Sequence, residues 1–407
     1  MQNTEKVRLA VIGLGSRGGW LVDQFLTMDN VFISALSDVY EDRVESCAAR
    51  VEKACGEKPF CTTDYREIIG RNVCDAVLIS TGWEDHVKIA LDMMEAHIPV
   101  GLEVGGAYSV ADCFRLVETW ERTRTPLMFC ENCCYDRYEL MVLNMVRQGL
   151  FGEVVHAEGG YMHDLRTEVL FGRENRHYRL ENYKHRNCDN YPTHDLGPIA
   201  TVLNINRGNR MVSLTSTASK SAGLNDYARL HENVDPALRD YPFAQGDIVE
   251  TNIKCADGAT ITLTLDTTLP RPYSRGFTIR GTRGMYQEDG NYVYLDTDFT
   301  EADHWNWKIH WNNAEEYLKK YEHPIWKRYL EDGVRGGHGG IDFLVYDDFF
   351  ERVKDGRPMP LDVYDAAALM CITPLTAESI RNNSAPVEIP DFTCGAWETT
   401  DGSWRFV

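Results

Sequence analysis

The sequence predicts an α/β fold: a doubly wound parallel sheet at the N-terminus, then an α+β domain with a large open, mainly antiparallel sheet. Three observations predict it. Apolar runs of strand length alternate with helical periods through residue 132, the pattern of parallel strands joined by right-handed crossovers. A glycine-rich turn, Gly13-Leu-Gly-Ser-Arg-Gly18, joins the first apolar run to the first helix. Beyond Tyr135 the pattern changes to alternating strands with few helices between them. We therefore expect two domains, residues 1–132 and 133–407.

In chain order, Leu9 to Ile12 reads as a buried strand and the residues up to Phe25 as a helix. Val31 to Asp38 is the next strand, Glu41–Cys55 a helix, and Phe60–Asp64 a short extended segment. Asp75–Ser80, Pro99–Val104 and Pro126–Asn132 complete the strands, with helices over Asp85–Ala96 and Val110–Thr123. Arg137–Gln148 has the apolar spacing of an amphipathic helix ending at Gly149. Strands follow at Val154–His163, Met211–Lys220, Asp247–Cys255, Ala259–Thr268, Phe277–Arg280 and Tyr292–Asp296, with Asp257-Gly258 as a hairpin turn. Helices are expected near Leu196–Ile205, Asp342–Lys354 and Tyr364–Arg381, and Asp164–Asn190 reads as a polar loop.

The glycine turn fills the G-x-G-x-x-G pattern with Gly13, Gly15 and Gly18. Their tasks in a dinucleotide site are a tight turn, close backbone approach to a pyrophosphate, and close helix-to-strand packing. The helix N-terminus then offers N–H groups to phosphate. Asp38 ends the second strand 20 residues beyond Gly18, where a carboxylate accepts from ribose hydroxyls and repels a 2′-phosphate. The pattern favours NAD over NADP, with Arg43 nearby as the one cation that would suit NADP. Ligands of such sheets lie beyond the strand ends, which singles out Ser16, Arg17, Asp38, Thr81 to His86, Glu103, Val104 and Asn132, with packing for Trp83 and helix capping for His86 as the plain alternatives.

A net charge of −20 argues against nucleic acid, whose binding rests on Lys and Arg neutralising phosphates. No apolar stretch reaches membrane-spanning length, and the chain enters its first strand by residue 8 without a leader pattern, so we expect a cytoplasmic protein. Twelve scattered cysteines suggest reduced thiols, and Cys130-Glu-Asn-Cys133 reads as buried thiols rather than a redox pair. No zinc spacing and no G-x-S-x-G is present, and no metal is expected. Paired catalytic carboxylates cannot be picked out either.

Two histidines stand in suggestive surroundings. In Asn190-Tyr-Pro-Thr-His-Asp-Leu-Gly-Pro198, Tyr191 and His194 are one helical turn apart and could face one pocket, with a capping histidine as the plain alternative. Pro198 reads as a helix start. In Arg335-Gly-Gly-His-Gly-Gly340, four glycines leave His338 open to close approach, or simply solvated. Tyr161, His163, Arg179, Tyr183, Tyr273, Trp305 and Trp307 are further sugar-binding candidates, since aromatic faces suit the apolar faces of sugar rings.

The architecture resembles the glucose-fructose oxidoreductase and inositol dehydrogenase family, although Glu103-Val104-Gly105 stands where that family carries Glu-Lys-Pro. A narrower resemblance spans nearly the whole chain. Gly13–Gly18, Glu131-Asn132 with Tyr135, Leu143–Val146, Gly159–Arg166, Tyr191–His194, Asn204–Gly208, Arg271–Tyr273 and Gly336–Gly340 are similar to glycoside hydrolase family 109, whose founding activity is α-N-acetylgalactosaminidase.

That resemblance implies an NAD-dependent glycosidase working by transient oxidation at the sugar 3-position, elimination, water addition and re-reduction. The alternative is a sugar 3-oxidoreductase that stops at the keto sugar. By the same resemblance NAD would contact Ser16, Arg17, Asp38, Trp83, His86, Glu103, Val104, Asn132 and Tyr191. Sugar would contact Tyr161, Arg179, Tyr191, Pro192, Thr193, His194 and Tyr273, and Tyr135, Tyr191, His194 and His338 would serve catalysis. The partner implied is a small-molecule glycoside, with self-association through the open sheet face as a family habit. Asp195 replaces an expected glycine and would raise the histidine's pKa or touch a different sugar substituent.

Overall fold

The computed structural model describes residues 6–300 and 303–407, without the side chains of residues 304, 307 and 308. The chain forms two compact units, residues 1–132 with 334–367, and residues 133–333 with 368–407.

In the first unit six parallel strands stand in the order β3-β2-β1-β4-β5-β6: β1 Val7–Ile12, β2 Val31–Ser37, β3 Phe60–Thr62, β4 Ala76–Ile79, β5 Val100–Leu102 and β6 Leu127–Phe129. The order reverses between β1 and β4, and the crevice beyond their carboxyl ends is where such sheets take a ligand. Helices α1 Ser16–Phe25, α2 Glu41–Cys55, α3 Trp83–Glu95 and α4 Val110–Thr123 make the crossovers. The central strands are buried along their length because helices cover both faces, which is why they read as unbroken apolar runs.

The second unit begins with α5 Arg137–Arg147 and carries an eight-stranded sheet. Its members are β7 Val154–Met162, β8 Met211–Ala218, β9 Ile248–Cys255, β10 Thr260–Asp266, β11 Thr278–Gly281, β12 Gly284–Gln287, β13 Tyr292–Leu295 and β14 Val387–Glu388. The order is β13-β12-β11-β7-β10-β9-β8-β14, and the β7–β10 pair is parallel while the rest are antiparallel. Residues of β9 alternate between exposed and buried, so one face of this sheet is covered and the other open.

The segment expected to be a polar loop, 164–190, instead holds two short helices, α6 Arg166–Leu170 and α7 Arg179–His185. Val169, Leu170, Leu180 and Tyr183 are buried there, so tertiary packing holds helices too short to persist alone. After them come α8 Thr193–Val202, α9 Gly223–Leu230, α10 Ala314–Tyr321 and α11 Pro324–Asp332. Pro198 lies inside α8 rather than at its start, and having no N–H it donates no bond to the turn before it.

A division at residue 132 alone assigns everything beyond it to the second domain. The structure corrects this, because α12 Ile341–Asp355 returns to the first sheet. Phe25 packs edge-on against Tyr346 and Phe350 at 5.0 and 5.4 Å. Gly101 in β5 leaves the room that Phe349 fills, a Cβ there falling 3.1 Å from its ring. Burying three such rings contributes about 2 kcal/mol each, enough to fix the helix there. The expected helix Tyr364–Arg381 is two, α13 Val363–Met370 and α14 Ile372–Arg381, because Pro374 has no N–H to continue the first into the second. No helix among the described residues is long and apolar enough to cross a membrane.

Candidate active site

The glycine turn of the first unit is shaped for a pyrophosphate. Gly13 has φ +91°, and a Cβ on it would lie 2.6 Å from the Ser80 and Thr81 backbone. A Cβ on Gly18 would lie 1.9 Å from the Gly13 carbonyl oxygen, so α1 could not approach β1 with any side chain there. At Gly15 a Cβ would meet nothing closer than Arg43 at 3.5 Å, and the space it leaves is open. Helix α1, opened by Ser16, has no side-chain cap and no acid in its first turn, which leaves its N–H groups to an anion. Asp38 is buried and oriented by the Leu14 and Tyr40 backbone N–H groups at 2.6 and 2.9 Å, with Arg43 3.7 Å away. This donor set fits NAD.

Trp83 and His86 line the end of β4, both buried. The Trp83 ring lies where a Cβ on residue 105 would be, 2.2 Å from its Cδ1, which explains the glycine after Val104. The His86 Nε2 sits 3.1 Å from the Thr81 carbonyl, and burial pushes its pKa down to about 4 against that bond. His86 thus braces the loop after β4 as a neutral ring. An unfolded histidine titrates near about 6.5, so below that pH the unfolded chain binds the proton first. Stability is then full above about pH 6.5 and falls by up to about 3 kcal/mol as pH drops toward 4. Urea unfolding at a series of pH values should show this slope, and His86→Gln should flatten it.

Glu103, Arg17, Asn132 and three residues of the return segment form one network. The Arg17 guanidinium reaches Glu103 Oε1 at 3.1 Å and Asp342 Oδ1 at 2.9 Å. The Tyr346 hydroxyl donates to Glu103, and Asn132 Nδ2 donates to Asp342 Oδ1 at 2.8 Å. His338 Nδ1 is 2.5 Å from Asp342 Oδ2. Burial pulls the Arg17 pKa down, but its two carboxylates outweigh it and keep the guanidinium charged.

In the second unit the sugar-binding candidates converge. Tyr161 at the end of β7 packs against Tyr191 with ring centroids 4.5 Å apart, against His194 at 5.7 Å and against Tyr273 at 6.3 Å. The Tyr191 hydroxyl lies 3.2 Å from His194 Nε2, and the Tyr161 hydroxyl 3.3 Å from His163 Nδ1. Tyr273, the exposed member, meets the His163 ring at 5.1 Å. Arg179 opens α7, and its guanidinium lies 5.2 Å from the Tyr191 ring centre and 5.8 Å from that of Tyr161. Its Nε pairs with Glu168 at 2.8 Å. Burial lowers the Arg179 pKa, yet the surrounding tyrosines and Glu168 outweigh that and leave a fixed positive charge. Burial and Arg179 together push the His163 pKa down.

Other expectations find different places. The Tyr135 ring is buried edge-on against Phe406 at 5.2 Å. Tyr183 is fully buried with its hydroxyl 2.6 Å from Thr267 Oγ1, so it is core. Pro192 and Thr193 are buried where α8 begins. Asp195 is buried between α8 and β7, its Cβ taking the room that Gly159 leaves, and so touches the sheet rather than a sugar. Trp305 is exposed, and the side chain of Trp307 lies outside the described residues. Cys130 and Cys133 are both buried, and burial holds the Cys130 thiol far above its ordinary pKa, against redox use.

Three residues escaped the sequence reading. Asp342 sits four positions after His338 at a helix start, a His-x-x-x-Asp spacing that was legible. Glu168 and Arg275 carry no such local signal. Arg275 pairs with Glu139 at 2.9 Å and Asp136 at 3.1 Å, which ties the loop bearing Tyr273 to α5.

Comparison with known proteins finds a family match in each part of the chain. Residues 7–129 match the oxidoreductase family with an NAD-binding Rossmann fold, and residues 135–399 match the glycosyl hydrolase 109 C-terminal domain. The α-N-acetylgalactosaminidase of Tannerella forsythia is 38% identical over 96% of this chain and 87% of its own length. That of Shewanella oneidensis is 37% identical over 97% and 86%. A levoglucosan dehydrogenase solved with NADH and levoglucosan shares the fold, with a TM-score of 0.70 at 15% identity over 95% of this chain and 100% of its own.

Proposed function

Because the chain belongs to glycosyl hydrolase family 109, we propose that it hydrolyses terminal α-N-acetylgalactosaminides, using bound NAD and regenerating it in every turnover. The observation that carries this is the Tyr191–His194 pair, 3.2 Å apart, set among closely packed tyrosines and a buried arginine. NAD, when bound, supplies a reversible oxidation of sugar carbon 3, which acidifies the carbon 2 proton and lets the glycosidic bond break by elimination.

Gly13, Gly15, Gly18, Ser16 and Arg17 would hold its pyrophosphate, and Asp38 its ribose. Glu103, Val104 and Asn132 form the crevice wall, with Trp83 and His86 bracing it from behind. In the second unit Tyr161 and Tyr273 offer ring faces to the apolar face of the sugar. Tyr191 and His194 share one proton across their contact, so the pair can take a proton from carbon 2 and return it. The fixed charge on Arg179 stabilises negative charge that develops on the sugar when that proton leaves. His338, with its exposed ring, is the second candidate for proton transfer.

Buried thiols at Cys47, Cys74, Cys188, Cys255 and Cys371, none in a disulfide, suit a reducing compartment, and we place the protein in the cytoplasm. The open face of the eight-stranded sheet is where a second copy would pair.

A chromogenic α-N-acetylgalactosaminide should release its aglycone with no added oxidant and no net NADH, in preference to a panel of other glycosides. NADH accumulating in step with keto sugar, without aglycone, would instead show a sugar 3-oxidoreductase.

A further inference from the structure

We propose that Asp342 is a positioning residue that keeps the ring proton of His338 on Nδ1 and so makes Nε2 the basic nitrogen. The inference rests on the reading of His338 as a proton carrier only for its consequence in turnover; the tautomer follows from the geometry of the first unit alone.

Asp342 is fully buried on the first turn of α12, and four donors converge on its two oxygens. Oδ1 accepts from Arg17 Nη2 at 2.9 Å and from Asn132 Nδ2 at 2.8 Å. Oδ2 accepts from Arg17 Nη1 at 3.2 Å and faces His338 Nδ1 at 2.5 Å. Burial alone would raise the Asp342 pKa, but hydrogen bonds from His338 and Arg17 and the Arg17 charge outweigh it and hold the carboxyl well below the usual range. An ionised carboxylate only accepts, so the nitrogen facing it must donate. That leaves Nε2 with the lone pair.

The backbone is arranged to bring this ring to this carboxylate. His338 has φ +48°, a left-handed conformation that costs a non-glycine residue about 1 kcal/mol. Gly337 before it lies against Trp20, where a Cβ would fall 2.4 Å from the indole, and the Trp20 and His338 rings meet edge-on at 6.2 Å. Strain at a single exposed histidine whose other ring nitrogen is fixed by a buried carboxylate fits a group held for use.

The substitution Asp342→Asn makes a sharp test. Oδ1 meets the two closer non-histidine donors, at 2.8 and 2.9 Å, whereas Oδ2 meets Arg17 Nη1 at 3.2 Å and a ring that can change tautomer, so the amide oxygen takes the Oδ1 position and the amide NH₂ faces His338 Nδ1. The NH₂ donates, Nδ1 becomes the acceptor, and the proton moves to Nε2, which can then no longer serve as base.

The experiment is ¹⁵N NMR of the NAD-loaded full chain labelled at histidine ring nitrogens, at a pH where the ring is neutral, with His338→Gln to assign the signals. The expected result is a protonated Nδ1 in the wild type and a protonated Nε2 in D342N, with kcat reduced by about 10²-fold or more. A wild-type ring protonated at Nε2, or a D342N ring still protonated at Nδ1, overturns the inference. An inverted ring with undiminished turnover upholds the assignment of Asp342 and removes His338 from the mechanism proposed above. The wild-type spectrum needs no change at Asp342, so it decides the matter even if D342N does not fold.

Discussion

Stripping nicotinamide from the protein should abolish aglycone release, by about 10³-fold or more, and adding NAD⁺ back should restore it. The size of the loss follows from what the site lacks a substitute for. An unoxidised sugar has no acidic proton at carbon 2, so neither His194 nor Tyr191 has a proton to take, and Arg179 has no developing charge to stabilise. NADP⁺ should restore far less, because Asp38, which we propose receives the ribose, is a buried carboxylate fixed by the Leu14 and Tyr40 N–H groups. The measurement is chromogenic turnover by charcoal-treated protein, titrated with each dinucleotide. Full activity in the stripped protein would refute the oxidative route.

His194→Ala should lower kcat by about 10²–10⁴-fold, the range for loss of a general acid or base, and should abolish solvent deuterium exchange at sugar carbon 2. Tyr191 would lose its partner at 3.2 Å, while its packing on Tyr161 at 4.5 Å would persist, so binding of the sugar should survive better than turnover. The His194 ring is only half-buried and its helix is held by buried neighbours on both sides, so the thermal midpoint should move little. Exchange at carbon 2 that continues unchanged in this variant would move the proton transfer to another group.

Much of the first unit was legible. Helices α2 and α4 begin and end where their residue patterns say, because Glu41 and Asp42 open one, Gly56 closes it, and Ser109 caps the other through the Asp112 N–H. Boundaries set by such local chemistry can be read from a string of letters. The break between α13 and α14 at Cys371, three residues before Pro374, is equally local and went unread only because the apolar spacing runs through it. Helices α6 and α7 were not readable in the same way, since five and seven residues are too few to hold a helix without the core they lie on.

The site divides along the same line. Tyr191 and His194, one turn apart, were expected to share a pocket, and their rings do meet. Tyr135 lies within an equally well-matched motif, yet its ring is buried against Phe406, because motif spacing sets position along the backbone and not the direction of a side chain. Glu168 reaches Arg179 across two helices that the sequence does not announce.

By itself, then, the sequence determined the glycine turn of the NAD-binding fold, the acid that ends the second strand, the change from parallel to antiparallel sheet, and the meeting of the Tyr191 and His194 rings, since each depends on residues near one another in the chain. Only the tertiary structure decided that α12 belongs to the first unit, that Asp342 gathers Arg17 and Asn132, and that Arg179 sits charged among the tyrosines. Those contacts join residues far apart in the chain, and the energies that select them come from burying rings and pairing charges, which no local pattern records.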